Sequence, residues 1–130
     1  HRHLDGIENV HLIPPLDVRE MHNLMARCCL VMTDSGGLQE EAPALGKPVL
    51  VLRTETERPE AVTSGTVKLA GVRYGRIVEL ADELLDNPSA YAEMSRAANP
   101  YGDGHACRRI ADAISWHFGK RETPPEEFGG

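Results

Sequence analysis

The segment that organises this chain is Val31-Met32-Thr33-Asp34-Ser35-Gly36-Gly37-Leu38-Gln39-Glu40-Glu41. Its apolar beginning continues a run over residues 28–32 that predicts a strand, and the pattern after the glycines predicts a helix. A strand that leads directly into a helix brings the helix start to the carboxyl edge of a parallel sheet, where open α/β sheets bind ligands. The first N–H groups of a helix lack intrahelical partners and lie at the positive end of its dipole. This turn is therefore suited to an anion such as a phosphate.

A plainer interpretation of the turn is also open. Ser35 or Asp34 would then only cap the helix, and Gly36 and Gly37 would only make a tight turn. The residues that follow favour the ligand site, because a helix with an apolar face is followed at once by another strand, at residues 47–52. Together these segments form a short strand, helix, strand unit.

Gly46 marks the end of the helix in that unit, and Pro48 marks the start of the second strand. A glycine is a common helix stop, and Pro48 stands at the start of the next strand, where proline is tolerated. Pro43 conflicts with this pattern, since a proline inside a short helix removes a donor and crowds the preceding turn. We expect the helix to bend or to start late because of it.

Helical and strand patterns alternate along the whole chain. Strands are predicted at residues 10–13, 28–32, 47–52 and 66–70. Helices are predicted at residues 18–26, after Ser35, between Pro59 and Gly65, around 81–85, at 90–98 with Ser89 as the cap, and at 106–118. This order predicts an α/β fold, a Rossmann-like parallel sheet with helices on both faces. Residues 1–118 would form this domain, and residues 119–130 a flexible tail.

Size and charge limit the class of protein. A chain of 130 residues fits one domain with a substantial core. Its net charge is −6, without a lysine-rich run, so no nucleic-acid partner is expected. No apolar stretch has the length that spans a bilayer, so no membrane partner is expected either. The three cysteines, Cys28, Cys29 and Cys107, are typical of buried reduced thiols, which predicts a cytoplasmic protein.

Three polar elements fall at the predicted carboxyl edge of the sheet: the Ser35-Gly36-Gly37 turn, Glu41 one helical turn later, and Arg58 after the next strand. Together they are typical of a nucleotide site. The turn would hold phosphate oxygens, the Glu41 carboxylate would accept from ribose hydroxyls, and the Arg58 guanidinium would bind a diphosphate. Taken singly, Glu41 is more often a solvated helix residue and Arg58 a surface salt bridge. No spacing predicts a metal site, and no nucleophile has a companion base.

At these residues the chain resembles the non-hydrolysing UDP-N-acetylglucosamine 2-epimerases. The resemblance extends to about residue 118. Its motifs are Asn9-Val10-His11-Leu12-Ile13, Pro15-Leu16, Thr33-Asp34-Ser35-Gly36-Gly37-Leu38-Gln39-Glu40-Glu41-Ala42-Pro43, Leu45-Gly46-Lys47-Pro48-Val49-Leu50, Thr56-Glu57-Arg58-Pro59-Glu60-Ala61-Val62, Gly65-Thr66 and Asn99-Pro100-Tyr101-Gly102-Asp103-Gly104. The motif beginning at Thr56 and the one beginning at Asn99 are far more specific than Asp-Ser-Gly-Gly, which also occurs in GT-B glycosyltransferases.

The resemblance implies one half of a GT-B-like architecture of two Rossmann-like domains. This chain would be most of the UDP-binding second domain, with its upstream part absent. By position, Ser35, Gly36 and Gly37 would hold the diphosphate, Glu41 the ribose and Arg58 the phosphate charge. The implied reaction, which needs no cofactor, interconverts UDP-N-acetylglucosamine and UDP-N-acetylmannosamine for cell-surface polysaccharide biosynthesis. The implied partners are the UDP-sugar substrate and the missing N-terminal domain, in a homodimeric parent protein.

The chain departs from the family pattern at the positions that contact the base. Met21 stands where relatives often present an aromatic ring to the uracil, and Leu16 where some use a glutamine. A thioether can still pack against a base, so Met21 stays a candidate contact. The family's acid/base carboxylates and catalytic histidine lie upstream of the matched region. The chain therefore holds no proton-transfer residue, only Arg58 as a stabiliser of the leaving group, and is expected to be inactive alone.

Two other functions stay open on the sequence. A related nucleotide-sugar glycosyltransferase or hydrolysing epimerase would share the Ser-Gly-Gly turn, and a non-catalytic module would bind only a nucleotide or a partner chain. The last predicted helix also carries an apolar stripe of Ile110, Ile114 and Phe118. In the family this helix crosses back to the first domain, so we expect the stripe to lack cover here and to self-associate.

Overall fold

The computed structural model describes residues 3–128, in which three parallel strands lie between helices. The elements in chain order are α1 (Val18–Arg27), β1 (Val31–Thr33), α2 (Gly36–Ala44), β2 (Val49–Val51), α3 (Pro59–Thr63), β3 (Val67–Leu69), α4 (Tyr74–Asp86), α5 (Pro88–Arg96) and α6 (Ala106–His117). The strands lie in the order β1-β2-β3, and both pairs are parallel. The predicted α/β class is confirmed.

The central strand shows why the sheet has a helix layer on each face. All three residues of β2 are fully buried, and successive side chains point to opposite faces. Val49 and Val51 belong to one core cluster, and Leu50 belongs to the other. Apart from β2, the clusters contain Met25, Ala42, Ala61 and Val67 on the first face and Ala70, Leu80, Leu84 and Met94 on the second. Helices α1 to α3 therefore cover one face, and α4 and α5 cover the other.

Helix α2 is continuous from Gly36 to Ala44, so the expected late start is wrong. Pro43 is the penultimate residue of the helix, where its missing N–H leaves only one carbonyl without its helical donor. The predicted end at Gly46 is confirmed, because Gly46 has a φ of +66°, in the left-handed region that favours glycine. Pro59 also opens α3 as predicted.

Residues 10–13 form no strand, contrary to the prediction. They are exposed, and among the described residues the strands are confined to the β1-β2-β3 sheet, so no strand pairs with this segment. The predicted burial of the thiols is also wrong. Cys28 is half-buried as the C-cap of α1, Cys29 is exposed before β1 begins, and Cys107 is exposed on α6.

Two helices on the second face differ in detail from the predictions. Helix α4 begins at Tyr74, well before the predicted segment at 81–85. Asn87, rather than Ser89, caps α5: its Oδ1 accepts from the backbone N–H groups of Ser89 and Ala90, at 3.0 and 3.2 Å. The prediction overlooked that an asparagine directly before a proline at the first helical position is itself a favoured cap.

Helix α6 is confirmed close to its predicted bounds, and an ion pair fixes its start. Asp103 accepts from both terminal nitrogens of Arg109, at 2.7 and 2.6 Å, and from the N–H of His105 at 3.0 Å. These bonds, above all those from Arg109, hold the pKa of Asp103 well below its ordinary value. No residue of α6 is buried. The fold thus anchors one end of α6 and leaves its length exposed.

The described part of the predicted tail, residues 119–128, contains neither helix nor strand but contacts α6. Arg121 forms an ion pair with Asp112, and the Phe128 ring centre lies 5.7 Å from the guanidinium carbon of Arg109. The ends of the predicted domain and tail, residues 1–2 and 129–130, lie outside the described residues. No helix among residues 3–128 is both long and apolar enough to cross a bilayer.

Candidate functional site

The sheet brings the predicted turn and the predicted arginine to one edge. Strand β1 ends at Thr33, two residues before the N-cap of α2, and β2 ends at Val51. Neighbouring parallel strands end at the same edge, so the segment after β2, residues 52–58, emerges beside the start of α2. We call this segment the 52–58 loop. Its side chains make the contacts described below.

The start of α2 has the features that an anion site requires. Ser35 is the N-cap, and its hydroxyl makes no capping hydrogen bond. Its backbone N–H donates to Thr33 Oγ1 at 3.0 Å, which holds the turn in an extended conformation just before the helix. The N–H groups of the first helical turn, from Gly36 onwards, have no intrahelical acceptor and carry the positive end of the helix dipole.

A carboxylate of the protein itself lies at this helix start. A Cβ atom added to Gly36 would meet Oε1 of Glu57 at 2.6 Å, so the glycine lets the 52–58 loop approach. The pKa of Glu57 lies below its ordinary value chiefly because its own backbone N–H bonds the carboxylate; partial burial opposes this shift, and Arg53 and Arg58 add to it. Arg53 Nη1 lies 2.9 Å from Glu57 Oε2. An ionised carboxylate thus stands where the helix dipole favours negative charge.

Arg58 is held beside α2 by acceptors on two segments. Its Nε donates to Glu40 Oε1, and its Nη1 donates to the backbone carbonyl of Glu57 at 3.2 Å. The bond to Glu40 and the charge of Glu40 raise the pKa of Arg58, against a smaller effect of burial. The guanidinium therefore stays cationic and is bonded to Glu40, which lies one helical turn after Gly36 on α2.

Two residues that the sequence did not single out connect α2 to the 52–58 loop. Gln39 is fully buried; its Nε2 donates to the Ser35 carbonyl at 3.3 Å, and its Oε1 accepts from Thr56 Oγ1 at 2.6 Å. Thr56 Oγ1 in turn accepts from the backbone N–H of Arg58 at 3.0 Å. One signal was available, because Gln39 lies at helical spacing from Ala42 on the buried face of α2.

Glu41 also lies near the turn. A Cβ atom on Gly37 would lie 3.5 Å from Glu41 Oε1 and 3.9 Å from Ser35 Oγ, so these three residues form one group. Its other oxygen, Oε2, lies 2.9 Å from Nε2 of His22 on α1. His22 is a second contact that the sequence did not reveal. Met21 is half-buried and packs against the first core cluster.

The structure thus groups Ser35, Gly36, Gly37 and Glu41, and it connects Arg58 to the same helix through Glu40. This arrangement offers backbone N–H groups, a hydroxyl and a guanidinium to an anion, with a carboxylate nearby to accept from hydroxyl groups. Within residues 3–128, no group of three or more His, Cys, Asp or Glu side chains is placed to hold a metal ion.

This chain is similar to known proteins in both sequence and fold. Residues 1–115 match the family model described as UDP-N-acetylglucosamine 2-epimerase. The UDP-N-acetylglucosamine 2-epimerase of Bacillus subtilis is 53% identical over 130 residues, which are 100% of this chain and 34% of that protein. This chain therefore spans about a third of the length of such relatives.

Solved structures agree with the sequence match. A crystal structure of UDP-N-acetylglucosamine 2-epimerase superimposes with a TM-score of 0.95 at 53% identity, over 100% of this chain and 35% of that one. The structure of Staphylococcus aureus MnaA with UDP gives a TM-score of 0.85 at 45% identity, over 97% of this chain and 34% of that one. The chain belongs to the UDP-N-acetylglucosamine 2-epimerase family.

Proposed function

We propose that this chain is the UDP-binding part of an enzyme that interconverts UDP-N-acetylglucosamine and UDP-N-acetylmannosamine. The observation that carries the proposal is the grouping of the α2 start, Glu41 and Arg58 at one edge of the sheet. The match of nearly the whole chain to a relative solved with UDP supports the same ligand.

The diphosphate binds at the start of α2 in this proposal. The N–H groups of Gly36 and Gly37 and the Ser35 hydroxyl donate to its oxygens, as helix starts do for phosphates elsewhere. Glu57 occupies the approach to Gly36 and must turn aside, since two anions would repel each other there. The movement involves an exposed, flexible side chain, which Arg53 can follow.

The rest of the nucleotide meets side chains of α1 and α2. Glu41 accepts hydrogen bonds from the ribose hydroxyls, because an ionised carboxylate has only acceptor oxygens. Met21 lies on α1 and supplies a polarisable thioether to the base.

The chemistry that this site assists is the departure and return of UDP. The bond between the sugar C1 and the diphosphate oxygen breaks while C2 loses its proton, and re-addition with the opposite configuration at C2 gives the epimer. Negative charge grows on the diphosphate as it leaves, and Arg58 with the α2 amides stabilises that charge. The proton transfer belongs to groups of a second, N-terminal domain, so the chain alone is expected to bind UDP without turnover.

Titration calorimetry with UDP tests this function. We expect weak binding by the chain, and Arg58→Ala should reduce the affinity by about 1.5–3 kcal/mol, or roughly 10- to 150-fold, because a charged partner of the diphosphate is lost. Arg108→Ala on exposed α6 is the matched control and should leave the affinity unchanged. Absence of UDP binding, or binding that is indifferent to Arg58, would contradict the proposal.

A further inference from the structure

The contact between His22 and Glu41 joins two helices at the edge of the candidate site. His22 Nε2 on α1 lies 2.9 Å from Glu41 Oε2 on α2, and 19 positions separate the two residues in the chain. Both side chains are 45% exposed. An ionised carboxylate has no proton to give, so the N–H of His22 donates and Glu41 accepts.

The hydrogen bond distinguishes the two oxygens of Glu41. Oε2 is turned towards His22, whereas Oε1 lies on the side of the α2 start, 3.5 Å from a Cβ placed on Gly37. A half-exposed glutamate without such a partner samples several side-chain rotamers, and fixing it on binding costs conformational entropy. The histidine therefore selects the orientation in which one oxygen is free to meet a ligand beside the turn.

We propose that His22 is a positioning residue for ribose recognition. It holds Glu41 so that Oε1 accepts from the ribose hydroxyls of the nucleotide, without itself touching the ligand. This inference rests on the proposed function, because it assigns a partner to Glu41 within the same site. It adds a second residue of α1, besides Met21, to the proposed site.

A role in folding alone does not account for the pair. Polar contacts between half-exposed side chains contribute little to stability, even where both groups are charged, so the loss of His22 should hardly change the unfolding transition. Its effect should instead appear when Glu41 is used, that is, with a ligand that carries ribose hydroxyls. This difference separates a positioning role from a general structural one.

Calorimetry with two ligands, UDP and 2′,3′-dideoxy-UDP, makes the test. His22→Ala should weaken UDP binding about two- to fivefold and leave the affinity for the dideoxy ligand unchanged. His22→Gln keeps an N–H donor and should recover part of the loss. In a Glu41→Ala background, His22→Ala should have no further effect, because the acceptor that it positions is gone. Asn23→Ala, whose side chain bonds only to α1 itself, is the control on the same helix.

The outcomes separate the inference from the function on which it rests. If the unsubstituted chain binds no UDP, the proposed function fails and the inference fails with it. If UDP binds but His22→Ala leaves its affinity unchanged, or weakens both ligands equally, only the role of His22 is overturned.

Discussion

Within residues 3–128, the exposed side chains at the carboxyl edge of the sheet have partners within the chain, whereas the exposed apolar side chains of helix α6 do not. At the edge, polar side chains are paired within the chain: Glu40 with Arg58, Glu57 with Arg53, and Glu41 with His22. Helix α6 also has ion pairs, at Arg109 and at Asp112, but its apolar residues Ile110, Ile114 and Phe118 stay more than half exposed. The polar groups of the edge thus find partners within the chain, whereas the apolar stripe of α6 is left without cover among the described residues.

The buried connection at the edge should give the largest effect. Gln39→Leu removes the buried amide that joins Ser35 to Thr56 and leaves the half-buried Thr56 hydroxyl without its acceptor. We expect the free energy of unfolding to fall by about 1–3 kcal/mol, since unsatisfied buried polar groups carry that penalty. Urea denaturation followed by circular dichroism measures the change.

Thr63, a threonine outside the candidate site, offers the control for the Gln39→Leu experiment. Thr63→Val removes an exposed hydroxyl that bonds only to the preceding turn of α3, so stability should change by less than about 0.5 kcal/mol. Equal free energies of unfolding for the Gln39→Leu variant and the unsubstituted chain would mean that the bonds of Gln39 to Ser35 and Thr56 do not stabilise the edge. The edge would then not differ from α6 in this respect.

The apolar stripe should give an intermediate effect, on association rather than stability. Ile114 is 54% exposed, and burial of part of its side chain against a second copy would contribute about 1 kcal/mol. Ile114→Lys should therefore lower the association constant roughly fivefold, as measured by light scattering at rising concentration. Val72→Lys replaces another exposed apolar residue, 69% exposed and outside the stripe, and should leave scattering unchanged. An apparent molecular mass that stays at the value of one chain as the concentration rises would refute self-association.

The anchor of α6 should give the smallest effect, visible only in acid. Arg109 lowers the pKa of Asp103 below its ordinary value of 3.8, so the folded state gains stability above that pH and loses it as the pH falls further. Asp103→Asn cannot titrate and should flatten this loss when the free energy of unfolding is compared at pH 6 and pH 3. Asp82→Asn, on the exposed side of α4, should keep the slope of the unsubstituted chain. If the free energy of unfolding of Asp103→Asn fell with pH in parallel with that of the unsubstituted chain, the Asp103–Arg109 ion pair would not stabilise the start of α6.

The parts of the fold that the sequence predicted are those set by local signals. Gly46 and Pro59 mark helix ends through backbone geometry alone, and the apolar period gives the strands and α6. The strand expected at residues 10–13 failed because pairing depends on a neighbour rather than on the segment itself. A pattern of apolar residues fixes what a segment can bury but not whether a partner strand is present.

The site follows the same division. The sequence predicts the turn at Ser35, Gly36 and Gly37 because a strand, a turn and a helix start lie within a few residues of one another. The sequence does not predict the side-chain contacts around this turn. They join residues 17, 18 and 19 positions apart: Thr56 with Gln39, Arg58 with Glu40, and Glu41 with His22. Their meeting depends on how the sheet stacks its connections, which no local pattern specifies.

An NMR titration that observes the amides at the start of α2 shows directly whether the diphosphate binds there. In two-dimensional amide NMR spectra of the labelled chain, UDP should shift the resonances of Gly36 and Gly37 more than those of Gly65 and Gly71, which lie in turns outside the candidate site. Uridine, which lacks the diphosphate, should leave Gly36 and Gly37 nearly unmoved. The account would be contradicted if UDP bound while these two amides stayed in place, or if uridine moved them as far as UDP does.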